Sequence, residues 1–251
     1  MTFGLVHSTA LVALILIVHL FVASSAFVLN QGHSSAASRQ LAVANTDNIV
    51  IQQIEQDNHN GLEEFSCFCI DVFHNNKEKS DSFVYGKLKD IKISILQKAQ
   101  MLDLSVPFIG NRSVFIARTC KSNDKDANLT NIIGCCEVIE ERIIISKEKN
   151  ANAQRIRPII ENLAVKEEYR RQGVAKALLE AVEQNVQTWI PLHDDIYTQV
   201  EETNPQAKEF FLGNNYEVVY VDIDCKKDDL NGLLFSQTKI TKLMMRKVLH
   251  L

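Results

Sequence analysis

Residues 168–180 of this 251-residue chain read Glu-Tyr-Arg-Arg-Gln-Gly-Val-Ala-Lys-Ala-Leu-Leu-Glu. Arg170 and Arg171 stand just before Gly173, Ala175 follows, and an apolar helical spacing begins there. The first turn of a helix carries unpaired N–H groups and the positive end of the macrodipole. A phosphate placed there is bound by backbone. Backbone approaches an anion only where side chains are absent or small, as at Gly173 and Ala175, and Gly173 can also take a positive φ. Arg170 and Arg171 add charge beside the anion. The pattern has neither the Lys-Ser/Thr pair of a P-loop nor the glycine spacing of a dinucleotide fingerprint. Phosphate binding outside those two classes is one reading. A basic helix start with a glycine for chain entry is the other.

Elements must position this stretch. Ile49, Val50, Ile51 and Ile54 suggest a first strand. Leu62, Phe65, Cys69, Val72 and Phe73 recur at helical spacing over 62–75, and 83–102 suggests a second helix with Leu88, Ile91, Ile95 and Leu96 on one side. Residues 112–120 and 132–140 are strand-like and flank a polar loop, so they should form a hairpin. The charged stretch 145–157 reads as a loop and 158–165 as a strand. A helix follows from about 171 to 189, with Val174, Ala177, Leu178, Ala181, Val182 and Val186 as its stripe, ended by Pro191. Residues 195–202 form a strand. Asn204 caps a short helix to about 215, with Pro205 at its first position. Strands at 216–223 and 242–249 close the chain. This order predicts one α/β domain with a mixed sheet flanked by helices.

Hydrophobic residues make up 46% and charged residues 23%, an ordinary globular balance. A net charge of −4 gives no reason to expect nucleic acid as a partner. The six cysteines form no C-x-x-C pair, so no zinc or thioredoxin-like motif is signalled, and no metal is expected. Adjacent Cys135 and Cys136 should point to opposite faces of a strand, one core and one surface.

Residues 10–22 are almost wholly apolar and small residues follow, which reads as a signal-peptide core and cleavage region over 1–26. The run is short for a membrane span. A signal anchor stays open, but no span is expected in the mature chain. No acidic residue occurs from Phe27 to Thr46, while Ser34, Ser35, Ser38 and Arg39 do, so 27–46 is transit-peptide-like or a disordered spacer. Ala23-Ser24-Ser25-Ala26-Phe27 resembles the junction of the two-part plastid presequences of diatoms and related algae. That resemblance implies the plastid stroma, with the secretory pathway as alternative. The remaining 47–251 is the folded domain.

Within that domain, residues 162–184, Asn-Leu-Ala-Val through Arg-Arg-Gln-Gly-Val-Ala to Glu-Gln, resemble the acetyl-CoA-binding motif of the GNAT superfamily of N-acetyltransferases. Asn204-Pro-Gln-Ala207-Lys-Glu-Phe210-Phe211 is similar to the family's last-helix motif, with Asn204 and Phe211 at cofactor-bordering positions. The resemblance implies a single GNAT-like domain using acetyl-CoA as cosubstrate. It implies pyrophosphate on the backbone of Arg171, Gln172, Gly173, Val174, Ala175 and Lys176, with Arg170 beside it. It implies pantetheine pairing at Val165, a thioester carbonyl polarised near Leu163, and a splayed gap between 163–165 and 195–202. The family's usual base position is Ile159, apolar here, so Glu161 is the candidate base through a bound water. Plain strand alternation puts Glu161 on a face with Ile159 and Leu163. Tyr197 and Gln199 are candidates to hold that water. The family's tyrosine acid is replaced by Phe211, with Tyr216, Tyr197 or solvent as substitutes. At Asn215 the family's glycine is replaced by a residue that tolerates the left-handed conformation. The resemblance implies a protein N-terminal α-amine or a lysine amine as the leading candidate acceptor. A small amine such as a polyamine, or a non-catalytic CoA-binding module, are the alternatives.

Overall fold

The computed structural model describes residues 40–41, 49–74, 83–105, 110–119, 131–144, 154–229 and 236–249. The presequence readings up to 39 and at 42–46, Cys120 and the loop readings at 121–130 and 145–153 lie outside these, while Gln40–Leu41, read within the 27–46 segment, is a strand paired with Ile51–Gln52. Runs of β-branched residues form the strands of an eight-stranded sheet. They are β1 (Gln40–Leu41), β2 (Ile49–Ile54), β3 (Arg112–Thr119), β4 (Ile132–Ile144), β5 (Gln154–Val165), β6 (Asp195–Glu201), β7 (Glu217–Asp229) and β8 (Ser236–Val248). Their order is β1-β2-β3-β4-β5-β6-β8-β7, and among the described residues β5 with β6 is the one parallel pair. The helices are α1 (His59–His74), α2 (Phe83–Ser105), α3 (Val174–Val186) and α4 (Pro205–Gly213).

Side chains alternate across the sheet, so each strand feeds two cores. On one face Phe115, Cys136, Val138, Ile160 and Met245 pack with the α3 stripe and with Phe211 of α4. On the other, Val114, Ile116, Ile132 and Cys135 pack under Leu62, Phe65 and Cys69 of α1 and Leu104 of α2. Ser66 on α1 donates to the Gln97 carbonyl on α2 at 2.9 Å, which ties the two helices. Gly134 lets α3 sit close: a Cβ there would lie 3.0 Å from Val174 Cγ1 and 3.1 Å from the Ala164 carbonyl oxygen. Among the described residues no helix is long and apolar enough to cross a membrane.

Several boundaries differ from expectation. Gln154–Arg157 is strand, not loop, because these residues continue the ladder to Arg142–Ile144 and to Glu141. Arg157 is further held by Asp195, Nε to Oδ1 at 2.9 Å. Helix α3 starts at Val174, because Arg171 (φ 61°) and Gly173 (φ 82°) are left-handed. It stops at Val186, where Thr188 and Trp189 bond back three residues and Trp189 tucks its ring into the core. Cys135 and Cys136 do face opposite sides, but both are fully buried, so neither is a surface residue. Burial pushes both thiols well up. Phe73, read as part of the packed stripe of α1, is 46% exposed.

Candidate active site

The site is made at the end of β5, where two irregularities coincide. The first is loss of pairing. β5 meets β6 only at Ile159–Tyr197 and Ile160–Thr198, where Thr198 Oγ1 donates to the Ile160 carbonyl at 3.2 Å. Beyond these pairs the strands part, and 161–163 and 199–201 line the two walls of a cleft of about 550 Å³. Phe73 of α1, Asn204, Ala207 and Phe211 near α4, Lys227 of β7 and Lys242 of β8 complete it.

The second irregularity is a bulge. The ladder pairs Glu137 with Glu161, then Cys135 with Ala164. Three steps on β5 match two on β4, so one residue is extra. Asn162 absorbs it in a left-handed conformation, φ 53°. The bulge resets the alternation. Leu163 and Val165 pack toward the α3 core, Ala164 toward the α1 core. The plain alternation that put Glu161 and Leu163 on one face therefore fails at Asn162. The ladder skips Asn162 and Leu163, and both residues line the cleft.

Past Val165 the chain makes a short 3-10 turn, Glu167–Tyr169, and enters α3. Gly173 is the N-cap and supplies no side-chain bond, so the first-turn N–H groups of α3 have no side-chain partner there. A cavity of about 810 Å³ opens over them, lined by Val165, Arg170, Arg171, Gly173 to Lys176, and by Gln206, Glu209 and Phe210 from α4. Arg171 and Lys176 are exposed beside it. Arg170 turns back, its Nε donating to the Val165 carbonyl at 3.2 Å. Gln172 donates to the Glu168 carbonyl at 2.8 Å and does not line the cavity. Asn204 caps α4, its side chain accepting from the Ala207 N–H at 3.1 Å. Asn215 is left-handed, φ 68°.

Of the sequence-derived catalytic candidates, the structure brings Glu161 to the cleft and leaves the two tyrosines out. Burial, then the charges of Glu137 and Glu141, push the Glu161 carboxyl up to about 7, against the pull of Lys242 and Arg112. Gln199 stands on the opposite wall and accepts from Lys242 Nζ at 3.4 Å. Tyr197 is buried and donates to Asp195 Oδ2 at 2.8 Å, away from the parted strands, and burial with Asp195 pushes its phenol to about 12. Tyr216 donates to Glu183 Oε1 at 3.1 Å inside the α3 core, and its phenol is pushed up. Phe211 is buried edge-on to Phe210 and Tyr216, with ring centroids 5.3 and 5.1 Å away, and borders the cleft. Sequence reasoning missed Phe73, Lys227 and Lys242, which come from distant elements with no motif. It also missed Glu137, an acid set within the apolar part of its strand, whose only signal was that placement.

Residues 98–213 match the family model described as the acetyltransferase (GNAT) family. A search of curated proteins finds no match. Among solved structures, Arabidopsis thaliana NAA60 with acetyl-CoA is 16% identical, covers 80% of this chain and 98% of its own, and has a TM-score of 0.47. Chaetomium thermophilum Naa20 with a bisubstrate analogue is 18% identical over 79% of this chain and 86% of its own, TM-score 0.45. A spermidine N-acetyltransferase SpeG chimera from Vibrio cholerae and hSSAT is 13% identical over 80% and 95%, TM-score 0.46. Over residues 98–213 the chain is similar to the acetyltransferase (GNAT) family, and that match supports an N-acetyltransferase whose cosubstrate is acetyl-CoA.

Proposed function

We propose that the chain acetylates protein or peptide amines, N-terminal or lysine. The observation that supports this reading is the cleft: Glu161 lies on its wall where β5 and β6 part, and a second cavity opens over the uncapped start of α3. Acetyl-CoA supplies the acetyl group as a thioester. Gly173 to Lys176 offer backbone N–H groups to its phosphates, and Arg171 and Lys176 offer charge. The backbone at Leu163 is placed to donate to developing oxyanion charge. The acceptor enters as an ammonium and must lose a proton before it attacks. Glu161, with a carboxyl near 7, takes that proton through a water held with Gln199 and passes it to solvent. One ammonium and one thioester give one amide, one thiol and one proton.

The leaving thiolate needs no strong acid, since a thiol of this kind has a pKa of about 8.5. Neither buried tyrosine is turned to the cleft, so solvent is its proton source. The balance of charge in the cleft favours a peptide over a polyamine. Glu201 is spent on Lys227 at 2.8 Å, and Lys242 adds a second cation opposite Glu161. A polycation would meet both lysines. Phe73, half exposed at the rim, offers an apolar ledge for a peptide side chain.

In the same proposal the segment ahead of β1 addresses the protein to the plastid, and the sheet domain that follows carries the activity. The test incubates the protein with acetyl-CoA and a peptide pool bearing free N-termini and lysines, read by mass spectrometry. Acetylated peptides are expected. Acetyl-CoA binding in a thermal shift with only polyamine acetylated would replace this acceptor by a small amine.

A further inference from the structure

Glu137 on β4 is 1% exposed, and it lines neither the cradle nor the cleft. A carboxylate is buried only when paired. Arg112 Nε donates to its Oε1 at 2.6 Å, and Asn162 Nδ2 donates to its Oε2 at 2.7 Å. Arg112 is itself anchored on Asp103, Nη2 to Oδ2 at 2.6 Å and Nη1 to the carbonyl at 3.1 Å. Both carboxylate oxygens of Glu137 are therefore fixed. Asn162 is the left-handed bulge residue, and the Cys135 thiol donates to its carbonyl at 3.2 Å. In the ladder, Glu137 is the partner of Glu161. Cross-strand partners share a face with Cβ atoms about 5 Å apart, and like charges there are unfavourable. A core strand that needed only to bond Arg112 and Asn162 had no reason to place its acid opposite a second one. The remaining charges toward Glu161 are Glu141 on β4, of the same sign, and Lys242 on β8 with Arg112 on β3, of opposite sign. Glu201 of β6 and Lys227 of β7 share the cleft and pair with each other.

We propose that Glu137 is a positioning residue for acetyl transfer: clamped by Arg112 and Asn162, its carboxylate stands opposite Glu161 and makes Glu161 the member of the pair that accepts the amine's proton near neutral pH. The proposal rests on Glu161 as base. The proton leaves the amine nitrogen for the Glu161 carboxylate and then for water, while Glu137 stays in its ion pair. The upward push that Glu137 exerts on Glu161 agrees with this.

The experiment follows both carboxyls by carbon NMR in glutamate-labelled protein between pH 5 and 9, beside the pH dependence of kcat/KM on one peptide. Parent, Glu137→Gln, Glu137→Asp and Glu161→Gln are compared. Glutamine keeps the shape, and the Asn162 amide can turn to meet it. In Glu137→Gln the Glu161 midpoint and the acid limb of kcat/KM should both fall by about one pH unit. Acetyl-CoA affinity should not change, and aspartate should restore both toward the parent. The peptide amine is common to all variants, so the shift belongs to the enzyme. A Glu161 midpoint unmoved in Glu137→Gln overturns the proposal, as does a parent in which Glu137 takes the proton first. The parent spectrum decides this even if the glutamine variant fails to fold. A limb lost in Glu161→Gln yet unmoved in Glu137→Gln overturns this proposal alone. A limb that persists in Glu161→Gln overturns the base reading, and this proposal with it.

Discussion

The proposed phosphate cradle and the proposed acceptor cleft adjoin at the end of β5, and they are built in opposite ways. The cradle is chiefly one continuous stretch from Val165 to Lys176, and the groups proposed to bind there are the first-turn backbone N–H groups of α3, which no side chain caps. The cleft draws side chains from α1, β5, β6, α4, β7 and β8. Its working group is a carboxyl whose proton affinity is set by burial and by charges from other strands. Backbone sites depend on local conformation, so they bind. Side-chain sites depend on assembled environment, so they can be tuned. Substitutions in the two should therefore fail differently.

The largest effect should come from the cradle. Gly173→Trp puts a bulky side chain on a residue with φ 82° and over the helix start. Acetyl-CoA affinity should fall by about 100-fold or more, roughly 2.8 kcal/mol, while the fold, read by circular dichroism, is kept because Gly173 is exposed. Calorimetric titration checks it. An affinity equal to the parent's would remove 171–176 as the phosphate site.

The cleft should lose rate and keep affinity. Glu161→Gln should cut kcat by about 100-fold, the usual worth of a general base, and leave acetyl-CoA binding intact. The same variant makes a prediction about stability. The folded carboxyl, at about 7, lies above the unfolded value of about 4.3. The fold thus favours the protonated acid, and stability is full below pH 4 and declines as pH rises through 7. Glutamine escapes that decline. Urea unfolding should show parent and variant alike near pH 4 and the variant more stable at pH 8, by about 2 kcal/mol. A variant less stable at pH 8 would mean that the Glu161 charge is solvated rather than strained.

This contrast also explains what was legible in advance. Gly173, Ala175 and the arginines announce the cradle, because local conformation and local sequence coincide there. The α3 stripe and the Asn204 cap were readable for the same reason, and each is found as expected. The bulge at Asn162 was not, since a single extra residue leaves no mark in an apolar run and shows only against the register of β4. The consequence was a wrong face for Leu163 relative to Glu161. Lys227 and Lys242 reach the cleft from the last hairpin, whose pairing with β6 is a long-range event. Tyr197 looked available by alternation, but Asp195 two residues earlier claims its hydroxyl.

The smallest effect should come from the position where the family pattern is broken. Phe211 is buried against Tyr216 and Phe210 and borders the cleft. Phe211→Tyr would restore a hydroxyl where the family has one. If departure of the thiolate limited the rate, that hydroxyl would raise kcat by tenfold or more, the lower end of what acid catalysis supplies being about 100-fold. A thiolate of pKa about 8.5 is, however, a good leaving group near neutral pH. In the proposed reaction, deprotonation of the amine is the harder proton transfer, because an α-amine holds its proton up to about 7.7–8.0 and a lysine to about 10.4. Phe211→Tyr should therefore change kcat by less than about threefold at pH 8. A larger gain would move the limiting step from the amine's proton to the thiolate's.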